Sequence, residues 1–152
     1  MSKFTIIIPV YNEAKNLSIL VPKIFKELKN TIFELIIVDD DSNDETYNVL
    51  KNFKKNNFRH IIRKGNKDLS QSCVLGFKNA KYDKIIVMDG DLQHKPNDIK
   101  KFLVSYNKNK VDIIVGSRDL FKNKKHNLNF FRLYASRLLI LMINFLLGKK
   151  TS

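Results

Sequence analysis

The chain has 152 residues, 28 of them basic and 15 acidic, for a net charge of +13. That length is one domain's worth, and 43% hydrophobic residues can build a proper core. The single cysteine, Cys73, excludes an internal disulfide and suits a reducing compartment; within an apolar helical pattern it reads as a buried, inert thiol. The charge is uneven. Residues 118–152 hold eight Lys or Arg against one acid, Asp119, for a local charge of +7. A basic surface serves nucleic acid, an anionic membrane or a phosphorylated substrate. Most of the charge is lysine in a chain also rich in Asn and Ile, so charge by itself selects none of the three.

The start, Met-Ser-Lys-Phe-Thr, has no signal-peptide pattern and leads straight into a strand over 4–10, β-branched and apolar. Leu17, Leu20, Val21, Ile24, Phe25 and Leu28 then recur at helical spacing, with Pro22 kinking that helix or marking its true start. A second buried strand covers 34–39. Asp44 or Ser42 can cap a helix through Val49, Leu50 and Phe53. A weaker strand spans 58–63, a helix 69–80, a fourth strand 84–88, a helix 96–106, a fifth strand 111–116 and a last helix 129–147. Continuous apolar strands separated by helices predict an α/β fold, a mostly parallel sheet with helices on both faces.

In such folds ligands bind outside the carboxyl ends of the strands. Polar groups gather there: Pro9-Val10-Tyr11-Asn12-Glu13 after the first strand, Asp39-Asp40-Asp41-Ser42 after the second, Asp89-Gly90-Asp91 after the fourth and Gly116-Ser117-Arg118 after the fifth. Each alone reads as a solvated turn. Together they crowd like charges on one edge, which costs stability unless a cation or ligand offsets them.

The sharpest of these is the run ending in Met88-Asp89-Gly90-Asp91-Leu92-Gln93-His94. Alternate residues of an extended segment point the same way, so Asp89 and Asp91 can aim at one point, with Gly90 leaving that point uncrowded. Hard divalent cations take oxygen ligands, and Mg²⁺ commonly combines one or two carboxylates with substrate phosphates. The Gln93 amide could add an oxygen. The physical reading is a metal site holding a diphosphate. The alternative is a helix start, with acids at its N-terminus and Pro96 in its first turn.

With these motifs in order, the chain resembles family 2 glycosyltransferases of the GT-A fold, in particular dolichyl- or polyprenyl-phosphate mannosyl- and glucosyltransferases. The resemblance rests on Ile8-Pro9-Val10-Tyr11-Asn12-Glu13, Val38-Asp39-Asp40-Asp41-Ser42, the segment from Met88 through His94 to Lys95-Pro96, Gly116-Ser117-Arg118, and Phe131-Arg132 with Ser136 before an apolar run. It covers essentially the whole chain, taken as a single domain over 1–152: a nucleotide-sugar-binding core over 1–118, and a basic segment with an interfacial helix over 119–152. It implies that Pro9, Tyr11, Glu13, Asp39, Asp40, Asp89, Asp91 and Arg118 bind the nucleotide sugar, with Asp39 accepting hydrogen bonds from the base and Tyr11 packed beside it. It implies that Asp89, Asp91 and Gln93 hold Mg²⁺ or Mn²⁺, that Asp91 and Arg118 are catalytic, and that Arg132 and Ser136 bind an acceptor phosphate. His94 is expected to cap a helix or support the metal motif from behind.

The implied reaction is inverting transfer of a hexose from a donor of the GDP-mannose or UDP-glucose type to polyprenyl or dolichyl phosphate. A lipid phosphate is already an anionic nucleophile, so it needs no strong base, whereas a sugar hydroxyl would need a carboxylate. The sequence departs from the family at Asp41, where Gly is frequent, and at Asp68-Leu69-Ser70, where a Gly-Leu-Gly-type loop is frequent. Related enzymes continue past the last helix, so the acceptor side is expected to be incomplete here, and a catalytically inactive nucleotide-sugar-binding remnant is an alternative. The apolar run 138–147 has ten residues and contains Asn144, against the roughly twenty that a span needs. It reads as an interfacial or a core helix, and the expected location is cytoplasmic, peripheral at the inner, anionic face of the membrane. A nucleic-acid-binding domain is the weakest reading, because the strand-end edge is acidic.

Overall fold

The computed structural model describes residues 3–108 and 111–116. The chain divides into two compact units, Met1–Ile114 and Val115–Ser152, and the first is the one described. Its elements are β1 (Phe4–Val10), α1 (Ala14–Glu27), β2 (Phe33–Asp39), α2 (Thr46–Lys51), β3 (Phe58–Ile62), α3 (Leu69–Asn79), β4 (Ile85–Val87) and α4 (Pro96–Lys108). The strands form a four-stranded parallel sheet in the order β3-β2-β1-β4.

All seven residues of β1 and of β2 are buried. A strand with neighbours on both edges and helices on both faces has no side free for water, so its sequence is mostly apolar, and the buried Thr5 and Glu34 hydrogen-bond each other between β1 and β2. Side chains alternate between the two faces. Phe4, Ile6, Ile8 and Val10 of β1 meet Leu17, Leu20, Val21 and Ile24 of α1, with Leu50 of α2 and Ile99 of α4 in the same cluster. Ile7, Ile36 and Val38 point to the other face, where Leu75 of α3 covers them. Each fully buried Leu or Ile contributes about 1.5–3 kcal/mol relative to exposure, and this two-sided core holds the sheet together.

Two prolines and a glycine show how the sequence is accommodated. Pro9 lacks an N–H, yet it lies in the central strand. Thr5 N donates to Lys84 O (2.8 Å) and Ile7 O accepts from Met88 N (3.1 Å), so the odd residues of β1 address β4. The register with β4 stops at Ile7, and Pro9 falls just beyond it. Pro22 lies inside α1 and does not mark its start, which is at Ala14. Gly76 is where α3 crosses the sheet: a Cβ there would sit 2.5 Å from Ile7 Cγ2, so only glycine allows this approach.

The chain runs outward from β1 through β2 to β3, then returns across the sheet to the far side of β1 as β4. Right-handed crossovers then require α3 to lie on the face opposite α1 and α2, as it does. The crevice between the ends of β1 and β4 is where the winding reverses, the place at which open α/β sheets bind ligands.

The fifth strand expected over 111–116 is not one. Those residues are irregular, with Ile113 and Val115 about four-fifths exposed. Apolar β-branched composition permits a strand but does not supply the neighbour whose N–H and C=O groups must pair with it. The helix expected over 129–147 lies outside the described residues.

Candidate active site

The end of β1 is tied to the loop after β2 by side chains that satisfy free backbone groups. Asn12 N donates to Ser42 Oγ (2.8 Å), and Asn43 N donates to Asn12 Oδ1 (3.0 Å). Glu13 N donates to Thr46 Oγ1 (3.0 Å), and Ala14 N to Asp44 Oδ2 (3.2 Å). The other oxygen of Asp44 accepts from Thr46 N (2.9 Å), so one carboxylate serves the first turns of both α1 and α2. Burial pushes the Asp44 carboxyl up, but these bonds outweigh it and hold it below the usual range. Ser42, the other cap expected for this helix, serves Asn12 instead.

The three consecutive aspartates after β2 have different tasks. Asp39 is 2% exposed. Its Oδ1 accepts from Ser42 N (2.9 Å), and its Oδ2 lies 3.5 Å from His60 Nε2, a contact that is electrostatic rather than a formed hydrogen bond. Burial raises its pKa, but the opposing contacts with His60 and Ser42 win and lower it. Asp40 accepts from Asp68 N at Oδ2 (2.7 Å) and faces Arg63 Nη2 at Oδ1 (2.5 Å), the latter an ion pair rather than an aligned hydrogen bond. Asp41 is partly exposed and paired with Lys64, whose hydrogen bond draws its pKa down. Its φ is +56°, a left-handed conformation that suits glycine and that Asp tolerates. This explains why the family's frequent Gly can be replaced by Asp here.

After β4 the chain turns through Asp89, Gly90 and Asp91. Asp91 Oδ1 accepts from Gln93 N (2.9 Å), a tight local turn that places Leu92 at φ +62°. A branched apolar residue in that region is strained, and such strain persists only where the surroundings hold it. Leu92 packs against the main core, which does so here. Gly90 has a different reason from the one expected. A Cβ would lie 3.0 Å from Val10 Cγ1 and 3.5 Å from Ile8 Cγ2, so glycine lets the turn sit against β1 and does not clear the space between the carboxylates. His94 Nε2 lies 3.6 Å from Asp89 Oδ2, beside the motif and not in the first turn of α4. Cys73 is half-buried; burial pushes its thiol up and the charge on Asp89 adds to the effect, so it is a poor nucleophile.

These segments enclose a cleft of about 360 Å³. Of the predicted site residues, Pro9, Tyr11, Glu13, Asp40, Asp89 and Asp91 line it. Asp39 and Gln93 do not: Asp39 is buried behind the wall and Gln93 is exposed to one side. Arg118, Arg132 and Ser136 lie outside the described residues. Lys67, Asp68, Leu69 and Ser72 also line the cleft; in the sequence Asp68 and Leu69 stand out only as a departure from the family's loop, and none of the four carries a predicted site role. The signal was available, because the loop between β3 and α3 ends at the same carboxyl edge as the other three.

Among the described residues, no three His, Cys, Asp or Glu side chains are grouped as a protein-only metal cage. Two carboxylates on the wall of one cleft still fit Mg²⁺ or Mn²⁺ of the kind whose remaining ligands are phosphate oxygens and water. Among the described residues no helix is long and apolar enough to cross a membrane.

A parallel sheet wound in this order, with its acidic turns around a crevice at the switch point, is a GT-A-type domain, and the chain belongs to glycosyl transferase family 2, whose sequence pattern matches residues 5–151. Among its relatives is a dolichol-phosphate mannosyltransferase of Pyrococcus furiosus, 39% identical over 89% of this chain and 38% of the relative. An undecaprenyl-phosphate 4-deoxy-4-formamido-L-arabinose transferase of Proteus mirabilis is 33% identical over 99% of this chain and 45% of its own length. The chain thus spans less than half the length of these two relatives. Solved structures share the fold: TarS of S. aureus in complex with UDP-GlcNAc superposes with a TM-score of 0.62 at 20% identity over 80% of this chain and 38% of TarS. A mannosyltransferase from Pyrobaculum calidifontis, in complex with GDP-Man and Mn²⁺, gives 0.60 at 18% identity, over 70% of this chain and 32% of that one.

Proposed function

We propose that the chain carries the donor half of an inverting glycosyltransferase that moves a hexose from a nucleotide sugar, of the GDP-mannose or UDP-glucose type, to a polyprenyl or dolichyl phosphate. The observation that carries this reading is the cleft itself, where Tyr11 and Glu13 after β1, Asp40 after β2 and Asp89 and Asp91 after β4 meet at the switch point. The relatives named for dolichol-phosphate and undecaprenyl-phosphate substrates support the acceptor class.

In this reading the base packs beside Tyr11, and the diphosphate lies toward Asp89 and Asp91. Those two carboxylates would hold Mg²⁺ or Mn²⁺, with Gln93 adjacent, and the ion would offset the charge that develops on the departing nucleoside diphosphate. Asp39, shielded from the cleft, supports the base end from behind through Ser42. The acceptor phosphate oxygen attacks the anomeric carbon from the face opposite the leaving group. One C–O bond forms as the bond to the β-phosphate breaks, and the configuration inverts. An anionic phosphate needs no general base, so in this reading Asp89 and Asp91 serve the metal and not the acceptor. Arg118 would pair with donor phosphates, and Arg132 with Ser136 would receive the acceptor phosphate. The basic 118–152 segment suits an anionic membrane face.

The test is transfer. The protein is incubated with radiolabelled GDP-mannose or UDP-glucose, polyprenyl phosphate and Mn²⁺, and the lipid is extracted. Label in the lipid phase supports the reading. Donor binding without label in any lipid would support a nucleotide-sugar-binding remnant, and label in a soluble sugar product would point to a hydroxyl acceptor.

A further inference from the structure

We propose that Lys67 is a positioning residue for the base end of the nucleotide site, holding the ring of Tyr11 in place for the base; this rests on the donor-site reading above. An ammonium group has three donors. Two of those on Lys67 go to the main-chain oxygens of Asp40 and Asp41, each at 2.6 Å. The ammonium also stands over the Tyr11 ring, 4.7 Å from its centroid. One cation therefore joins the end of β1, the end of β2 and the loop before α3.

The anchor is fixed from its own side as well. Asp68 N, the next backbone group, donates to Asp40 Oδ2, and Asp68 Oδ1 caps α3 by accepting from Gln71 N (3.0 Å). Lys67 is thus held at the start of a helix while its stem reaches across the cleft wall. Tyr11 itself is 44% exposed, and the Lys67 ammonium stands over its ring. Two carbonyls and a ring absorb the ammonium's hydrogen-bonding directions, leaving little for a phosphate. The position matches a device that shapes the base pocket more than a ligand to the diphosphate. A cation over a partly exposed ring contributes about 0.5–1 kcal/mol, roughly two- to fivefold in an equilibrium constant.

The experiment uses the full 152-residue chain with Mn²⁺ and measures the affinity of guanosine, uridine, GDP and UDP by ligand-observed NMR and calorimetry. Lys67→Met keeps the aliphatic stem and removes the charge. Lys67→Gln keeps a donor for the carbonyls but no cation for the ring, and it carries the comparison if the Met variant fails to fold. Both should weaken the preferred nucleoside and its diphosphate by the same factor, about two- to fivefold. Lys67→Arg should restore most of the affinity. Adding Tyr11→Leu to Lys67→Met should cost less than the two single losses combined, because the lysine acts through the ring. A loss confined to the diphosphates would make Lys67 a phosphate ligand and overturn the proposal. So would full affinity in the Gln variant, which would reduce Lys67 to a loop staple. A wild-type chain that binds none of the four ligands would overturn the donor-site reading itself, and this inference with it.

Discussion

Arg63 Nη2 lies 2.5 Å from Asp40 Oδ1, and both side chains are largely buried, at 15% and 7% exposure. Asp40 lines the cleft, and Arg63 does not. The arginine also reaches Ser72 Oγ (3.3 Å) on α3 and the carbonyl of Asn66, so one guanidinium joins the end of β2 to the helix on the opposite face. A bidentate, planar donor suits such a junction better than a lysine.

Removing one partner of a buried ion pair leaves the other charge uncompensated, which costs about 3–5 kcal/mol. Arg63→Met should therefore destabilise the protein by about 3 kcal/mol. Arg63→Lys should recover only part of this. Urea unfolding monitored by circular dichroism would measure both. A change below about 1 kcal/mol in the Met variant would show that Asp40 is hydrated in solution, contrary to the geometry.

Asp89 has a side chain 59% exposed, and its removal should not unfold the chain. Asp89→Ala and Asp91→Ala should each abolish the Mn²⁺-dependent part of GDP or UDP binding. The Asp91 variant should also lose some order at Leu92, because the Asp91 carboxylate accepts from Gln93 N in that turn. Calorimetry with and without Mn²⁺ decides it, and unchanged affinity in both variants with Mn²⁺ present would remove the metal assignment.

Asp39 and Asp44 have carboxyls held below their usual range by the bonds described above. A carboxyl whose folded pKa lies below its unfolded value, about 3.9, stabilises the fold at higher pH and loses that contribution as pH falls through the folded value. Asp39→Asn and Asp44→Asn should each lower stability at pH 7 and flatten the fall in stability below about pH 4. Melting temperatures from pH 7 down to pH 2.5 would show this, and acid limbs parallel to wild type would refute it.

Gly76→Ala would ordinarily favour a helix by up to about 1 kcal/mol. Here the added Cβ meets Ile7 Cγ2 at 2.5 Å, and Ile7 is fully buried in the central strand. We expect a net destabilisation of about 1–3 kcal/mol from overpacking. Pairing it with Ile7→Ala should recover part of the strain. A stabilised Gly76→Ala protein would mean that α3 rides higher on the sheet than it does here.

Much of the fold can be read in the chain because β1 and β2 are buried on both faces and are therefore mostly apolar, with a core of Ile and Val. The four strands and four helices found match their sequence patterns to within a few residues. The run 111–116 is, like β1, rich in Ile and Val but remains irregular, because a strand is completed by a neighbour's hydrogen bonds and not by its own residues.

The sequence determined which residue types reach the carboxyl edge, since parallel winding sends every strand-to-helix turn to one side. It could not say which of the neighbouring carboxylates would face the cleft. Asp39, Asp40 and Asp41 look interchangeable in the chain, yet one is sealed against His60 and Ser42, one is paired with Arg63 on the cleft wall, and one is turned to solvent and Lys64. Those assignments depend on backbone dihedrals after the strand ends and on partners 20 or more residues away. Lys67 and Arg63 were hidden for the same reason: a cation's role is set by what it touches, and packing of distant segments decides that.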